Sequence, residues 1–146
     1  MACVCELRND AMRVLYRRDA PNEVYLAGHR GFLEHTVCTH YGKLNVWLEM
    51  HGTLYLTCNA PASADFELWE MLDMHELWAN HHMCRRPLKG FEALTALYEN
   101  LRCLPQMQPY FCSKVFDMPY NNKMAGWSAS ESTWRGAAAD RATVKH

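Results

Sequence analysis

Residues 44–58, LNVWLEMHGTLYLTC, constrain the fold more than any other stretch of this chain. Apolar runs rich in aromatic residues flank His51-Gly52, a pattern that predicts a β-hairpin closed by a two-residue turn. In that register Met50 faces Thr53, Leu48 faces Tyr55 and Val46 faces Thr57 on one side. Glu49 with Leu54, Trp47 with Leu56, and Asn45 with Cys58 share the other. Each side then carries a large apolar pair, and a one-residue slip exchanges the sides without removing either. Such a hairpin needs cover on both faces. Helices of the same chain supply one; the rest of the sheet, the C-terminal tail or another protein must supply the second.

The preceding residues fit the same scheme. MRVLYRR (residues 12–18) alternates, with Met12, Val14 and Tyr16 against Arg13 and Arg17. Turn residues in DAPN separate it from EVYLAG, and GFLEHTVCTHYGK is read as a further strand ending at Gly42. After the hairpin the period changes. SADFELWEMLDMHELWANHHM predicts a helix capped by Ser63 or Asp65, with Phe66, Trp69, Leu72 and Leu77 facing a core and Pro87 beyond its end. GFEALTALYENLRCLP predicts a second, with the stripe Phe91, Leu94, Leu97, Tyr98, Leu101 and Leu104 stopped by Pro105. The expected class is α+β: an antiparallel sheet of meanders and hairpins, two packing helices, and an extended C-terminal tail. Residues 1–116 form one domain in this scheme, and residues 117–146, rich in small and polar residues, form a tail ordered by a partner.

Charge and cysteine usage narrow the function. A formal net charge of −1 leaves no basic field for nucleic acid. No apolar run is long enough to span a membrane, and MACVCELRND lacks the layout of a secretion signal. Seven cysteines are therefore expected as reduced thiols in the cytosol, nucleus or mitochondrial matrix. Residues 44–84 hold six acids and no Lys or Arg, so the acidic helix is either a solvated face or a dock for a basic segment, such as this chain's own CRRPLK.

Histidine and cysteine spacing raises the question of zinc, which takes four tetrahedral ligands. The best set is His82 (or His81) and Cys84 with Cys103 and Cys112. A second set comprises His35, Cys38 and His40, completed by His51 or Cys58. Neither has the paired CxxC knuckles of a strong zinc signature. Leu15-Tyr16-Arg17 matches the tripeptide of the LYR family of small helical mitochondrial proteins, but over three residues only and in a strand-like context, so no family follows from it. No phosphate-binding loop, dinucleotide fingerprint or nucleophile elbow is present.

The function expected from these features is non-catalytic: an intracellular interaction protein, a small subunit of a larger assembly, bound to a protein partner or to a second copy of itself. Trp47, Leu56, Trp127 and Trp134 are the expected contact residues, because aromatic anchors dominate interface energetics. A zinc-stapled regulatory module is the first alternative, with structural zinc as its only cofactor. A cysteine-dependent enzyme is the second.

Overall fold

The computed structural model of the protein describes residues 2–17, 22–122 and 124–128. Six α-helices succeed one another: α1 (Ala2–Leu15), α2 (Asn22–Gly31), α3 (Cys38–His51), α4 (Ser63–His81), α5 (Glu92–Arg102) and the short α6 (Gln108–Phe111). A π-helical segment, Phe32–Val37, joins α2 to α3, and a 3-10 turn, Pro105–Met107, leads into α6. Among the described residues there is no strand, so the expected α+β class is corrected to all-helical.

The correction has a physical reason at each misread segment. In α3, which takes up the first strand of the supposed hairpin, the buried residues are His40, Tyr41, Leu44, Asn45 and Leu48, a helical repeat that begins before the quoted stretch. Gly52 is not a turn residue between strands. It closes α3 in the left-handed conformation (φ 60°, ψ 27°), its N–H bonding the Leu48 carbonyl at 2.9 Å. Residues 53–62 then form an irregular loop. In α1 the alternation of Met12, Val14 and Tyr16 is incidental; Val4, Leu7, Ala11 and Leu15 make the buried face.

The two helices expected in the second half are present as α4 and α5, and α4 is the centre of the fold. Every residue from Met71 to Ala79 is buried. A helix enclosed on all sides must have its polar groups partnered, because an unpaired buried one costs about 1–3 kcal/mol. Asp65, fully buried, accepts the N–H of Ala62 and that of Leu56, both at 2.8 Å, which caps α4 and pins the preceding loop to it. Asp73 accepts the hydroxyls of Tyr98 (2.7 Å) and Tyr120. Glu76 accepts the Arg86 guanidinium at 2.5 Å and the Leu88 N–H at 2.8 Å. The acidic run is thus divided: Glu49, Glu67 and Glu70 are exposed, whereas Glu76 docks the chain's own CRRPLK.

α1 packs on α4 and on the helical rod running from α2 into α3, while α5 packs on α3 and α4 through Leu94, Leu97 and Leu101. No side chain of α5 caps its own start. Asn45 of α3 does so instead, its Oδ1 accepting the Leu94 N–H at 3.1 Å. The described part of the tail turns back on this core. The Gly126 N–H bonds the Leu15 carbonyl at the end of α1 (2.8 Å), and Trp127 stacks on Trp78 with centroids 5.6 Å apart. A side chain at residue 126 would collide with the Tyr25 hydroxyl, which is why glycine stands there.

Asp65→Ala removes a cap and strands one buried and one part-buried N–H group, so it should lower the unfolding free energy by about 2–4 kcal/mol. Urea titration checks this; a loss under about 0.5 kcal/mol would show that Asp65 does not hold the loop to α4.

Candidate functional site

Two clusters of titratable side chains stand out once the helices are in place. The first lies where α2 meets the C-terminal end of α4. Trp78 donates its indole N–H to His29 Nδ1 at 3.1 Å, and His82 Nε2 lies 3.2 Å from the same nitrogen. Two donors on Nδ1 leave the His29 proton on Nε2, which has no partner among the described residues. Burial and then the neighbouring His82 and His81 lower the His29 pKa to about 4. Burial, His81 and Arg30 lower that of His82 to about 4. Deeper in the core, His75 Nδ1 sits 3.0 Å from the Tyr41 hydroxyl; burial, with the charge of His40 adding, lowers its pKa to about 3. All three imidazoles are neutral at pH 7. His29 and His75 are enclosed, and His82 is part-exposed beside His81 and Arg30.

The second cluster has the layout of nucleophile, base and orienting acid. Cys3 and Asp10 stand seven residues apart on α1, two helical turns along one face. His40, at the start of α3, lies between them: its Nδ1 is 3.5 Å from Cys3 Sγ and its Nε2 3.2 Å from Asp10 Oδ2. The other Asp10 oxygen binds Arg13 at 3.1 Å. His40 is buried at 7 % exposure, whereas Cys3 is half-buried and reachable. Burial pushes the Cys3 thiol above its ordinary value, with Lys43 opposing and Glu6 adding, so the sulfur rests as a thiol. Around the other side of α1, Val4, Cys5, Arg8 and Asn9 line an open cleft of about 370 Å³ against Glu67, Glu70 and Met71 of α4.

The zinc expectation is overturned. Among the described residues no three His, Cys, Asp or Glu come together as a metal site. His82 is engaged with His29, and Cys84 contacts the His82 carbonyl at 3.7 Å. Cys103 and Cys112 are exposed beyond α5, beside the other half of α4, where Tyr98, Tyr110 and Phe111 surround Trp69. Thirteen residues of helix separate Trp69 from His82, about 20 Å of rise. The second set is also scattered. His35 is exposed, Cys38 faces the Leu33 carbonyl, His51 stacks on Trp47, Cys58 is exposed, and His40 belongs with Cys3 and Asp10.

Of the expected contact residues, Trp47 is 49 % exposed at the end of α3 and donates its indole N–H to the Leu56 carbonyl at 2.9 Å. Loop 53–62 therefore brings Trp47 and Leu56 together without a hairpin. Leu56 itself is buried, as is Trp127 on Trp78. Trp134 lies outside the described residues. Sequence reasoning missed the alliance of Cys3, Asp10 and His40; the only signal was the spacing of 3 and 10, which means nothing until α1 is known to be a helix.

An enclosed central helix ringed by amphipathic ones, with no strand among the described residues, defines an all-helical domain. The chain belongs to the family described as "Glutathione S-transferase, C-terminal domain", whose model matches residues 5–114. Comparison with curated proteins finds no match, and comparison with solved structures finds none. No helix among the described residues is long and apolar enough to cross a membrane.

The buried imidazoles make stability depend on pH with a definite sign. Their folded pKa values lie below the unfolded value of about 6.5, so their contribution is complete above that pH and is lost as pH falls toward their folded values. Between about pH 6 and 5 the unfolding free energy should fall by up to about 1.4 kcal/mol per pH unit for each buried imidazole. Urea titrations should show the slope, and His75→Gln should flatten it by about one such increment. An unchanged slope would mean that His75 is already solvated in the native state.

Proposed function

We propose that this chain is a non-catalytic helical interaction domain, a subunit of a larger assembly, and that it meets a protein partner through the end of α3. One observation carries the reading. Val46, Trp47, Met50 and Leu54 expose 51, 49, 78 and 53 % of their surface at the last turns of α3 and the loop beyond. Positions 46, 47 and 50 share a helix face. Four large apolar side chains in one neighbourhood exceed the scattered singles that a monomer ordinarily shows. The Trp47 indole is already fixed by the Leu56 carbonyl and by stacking on His51 at 3.9 Å, so little freedom is lost on contact.

The family description supports a second reading, in which this domain belongs to a glutathione-transferring enzyme. Conjugation of glutathione to a chlorinated aromatic, with the purified chain, separates the two. The interaction reading expects a rate no greater than the uncatalysed one.

The docking face is tested with the double variant Val46→Glu, Met50→Glu, which alters two exposed positions and should leave the helical circular-dichroism spectrum unchanged. A partner captured stoichiometrically by the wild-type chain should be lost by the variant, with at least about a tenfold weaker Kd for loss of two apolar contacts. Equal capture by both would place the contact elsewhere. No stoichiometric partner for the wild type would remove the reading.

A further inference from the structure

The geometry points to Cys3 as a nucleophilic thiol that exchanges with small disulfides, His40 taking its proton and Asp10 holding the imidazole in place. The three groups are supplied by two different helices. Asp10 accepts from His40 Nε2 at 3.2 Å, which fixes the tautomer and leaves Nδ1 bare toward the Cys3 sulfur at 3.5 Å. Arg13 at 3.1 Å holds the other Asp10 oxygen and so sets the carboxylate's orientation. Nucleophile, base and orienting group follow one another in the order that activated nucleophiles require.

The resting state of the sulfur matters to the form of the chemistry. A thiol made reluctant to ionise by burial is a poor nucleophile alone, and gains most from a base that removes its proton during attack. His40 is nearly closed off from water, so a proton that it takes from sulfur stays available for the leaving group. The electrophile must be slender, because Cys3 is only partly exposed between α1 and α3.

A small disulfide suits both conditions. Cys3 Sγ attacks one sulfur of the disulfide while its proton passes to His40 Nδ1. The new S–S bond forms as the old one breaks, and the departing thiolate takes the proton from His40. One thiol and one disulfide enter; one mixed disulfide on Cys3 and one small thiol leave. A small thiol reverses the step. The result is a reversible mark at the start of α1, distant in sequence from the α3 docking face and involving none of its residues, so failure of either proposal is read separately.

Charged groups from each neighbouring element bear on the pH dependence. Glu6, Asp10 and Arg13 belong to α1, and Lys43 lies one turn beyond His40 on α3. His75 of α4 interacts electrostatically with His40. His75 is neutral at pH 7, and the Asp10 carboxylate is shared by Arg13 and His40.

The test uses the full chain carrying Cys5→Ser, so that the N-terminal peptide holds a single thiol, and 2,2′-dipyridyl disulfide as the probe. Peptide mass spectrometry follows each cysteine over time from pH 5 to 9, with exposed Cys58, Cys103 and Cys112 as internal references. At pH 6 Cys3 should react at least about tenfold faster than those three. His40→Gln should abolish the advantage. Asp10→Asn, which keeps both Cys3 and His40, should reduce the rate several-fold and serves if the His40 variant fails to fold. Cys3 reacting no faster than the exposed thiols at every pH would overturn the proposal. So would a fast reaction indifferent to both substitutions.

Discussion

The structure depends on a helix whose second half, from Met71 to Ala79, has no solvent face. α4 presents core to α1 on one side and α5 on another, and from Met71 to Ala79 nothing of it reaches water. Its sequence nonetheless carries Asp65, Asp73, His75 and Glu76 among the buried positions. Each is bound to a different part of the chain: loop 53–62, α5 with Tyr120, α3 through Tyr41, and the segment 86–88. Apolar burial drives these elements together, and the directional bonds decide where each one sits. A purely apolar α4 would leave the loops around it without a fixed register.

That register places the chemistry. With α1 and α3 both seated on the same core, positions 3 and 10 of one helix straddle position 40 of the other. The outer face at the end of α3 meanwhile leaves Val46, Trp47 and Met50 uncovered. Burial of the inner face of α3 and exposure of its outer face are the same fact. Tyr41, Leu44, Asn45 and Leu48 point in, and Lys43, Val46, Trp47 and Met50 point out.

The second half of the fold was legible because its signals agree. Leu94, Leu97, Tyr98 and Leu101 form one stripe, and prolines stand beyond both helices. The first half was not, because its signals support two periods at once. Val46, Trp47 and Tyr55 favour strands, and His51-Gly52 reads equally as a hairpin turn or as the basic last turn and glycine cap of a helix. The decisive evidence, Tyr41 one and two turns before Leu44 and Leu48, lay outside the window that looked like a hairpin. In α1 the small Ala11 hid the repeat of Val4, Leu7 and Leu15. The zinc sets failed for a related reason: distance along a sequence becomes distance in space only after the helices and their directions are known. The alliance of Cys3, Asp10 and His40 was invisible on the same ground.

Native-state hydrogen exchange tests the central claim most directly. If α4 is enclosed and tied at four points, the amides of residues 71–79 should exchange only through global unfolding, with free energies equal to that from urea titration. The amides of loop 53–62 should exchange more readily, apart from Leu56 and Ala62, whose N–H groups are held by buried Asp65. Exchange of residues 71–79 through local openings well below the global free energy would contradict the account, since a helix that opens alone cannot be the element that positions all the others.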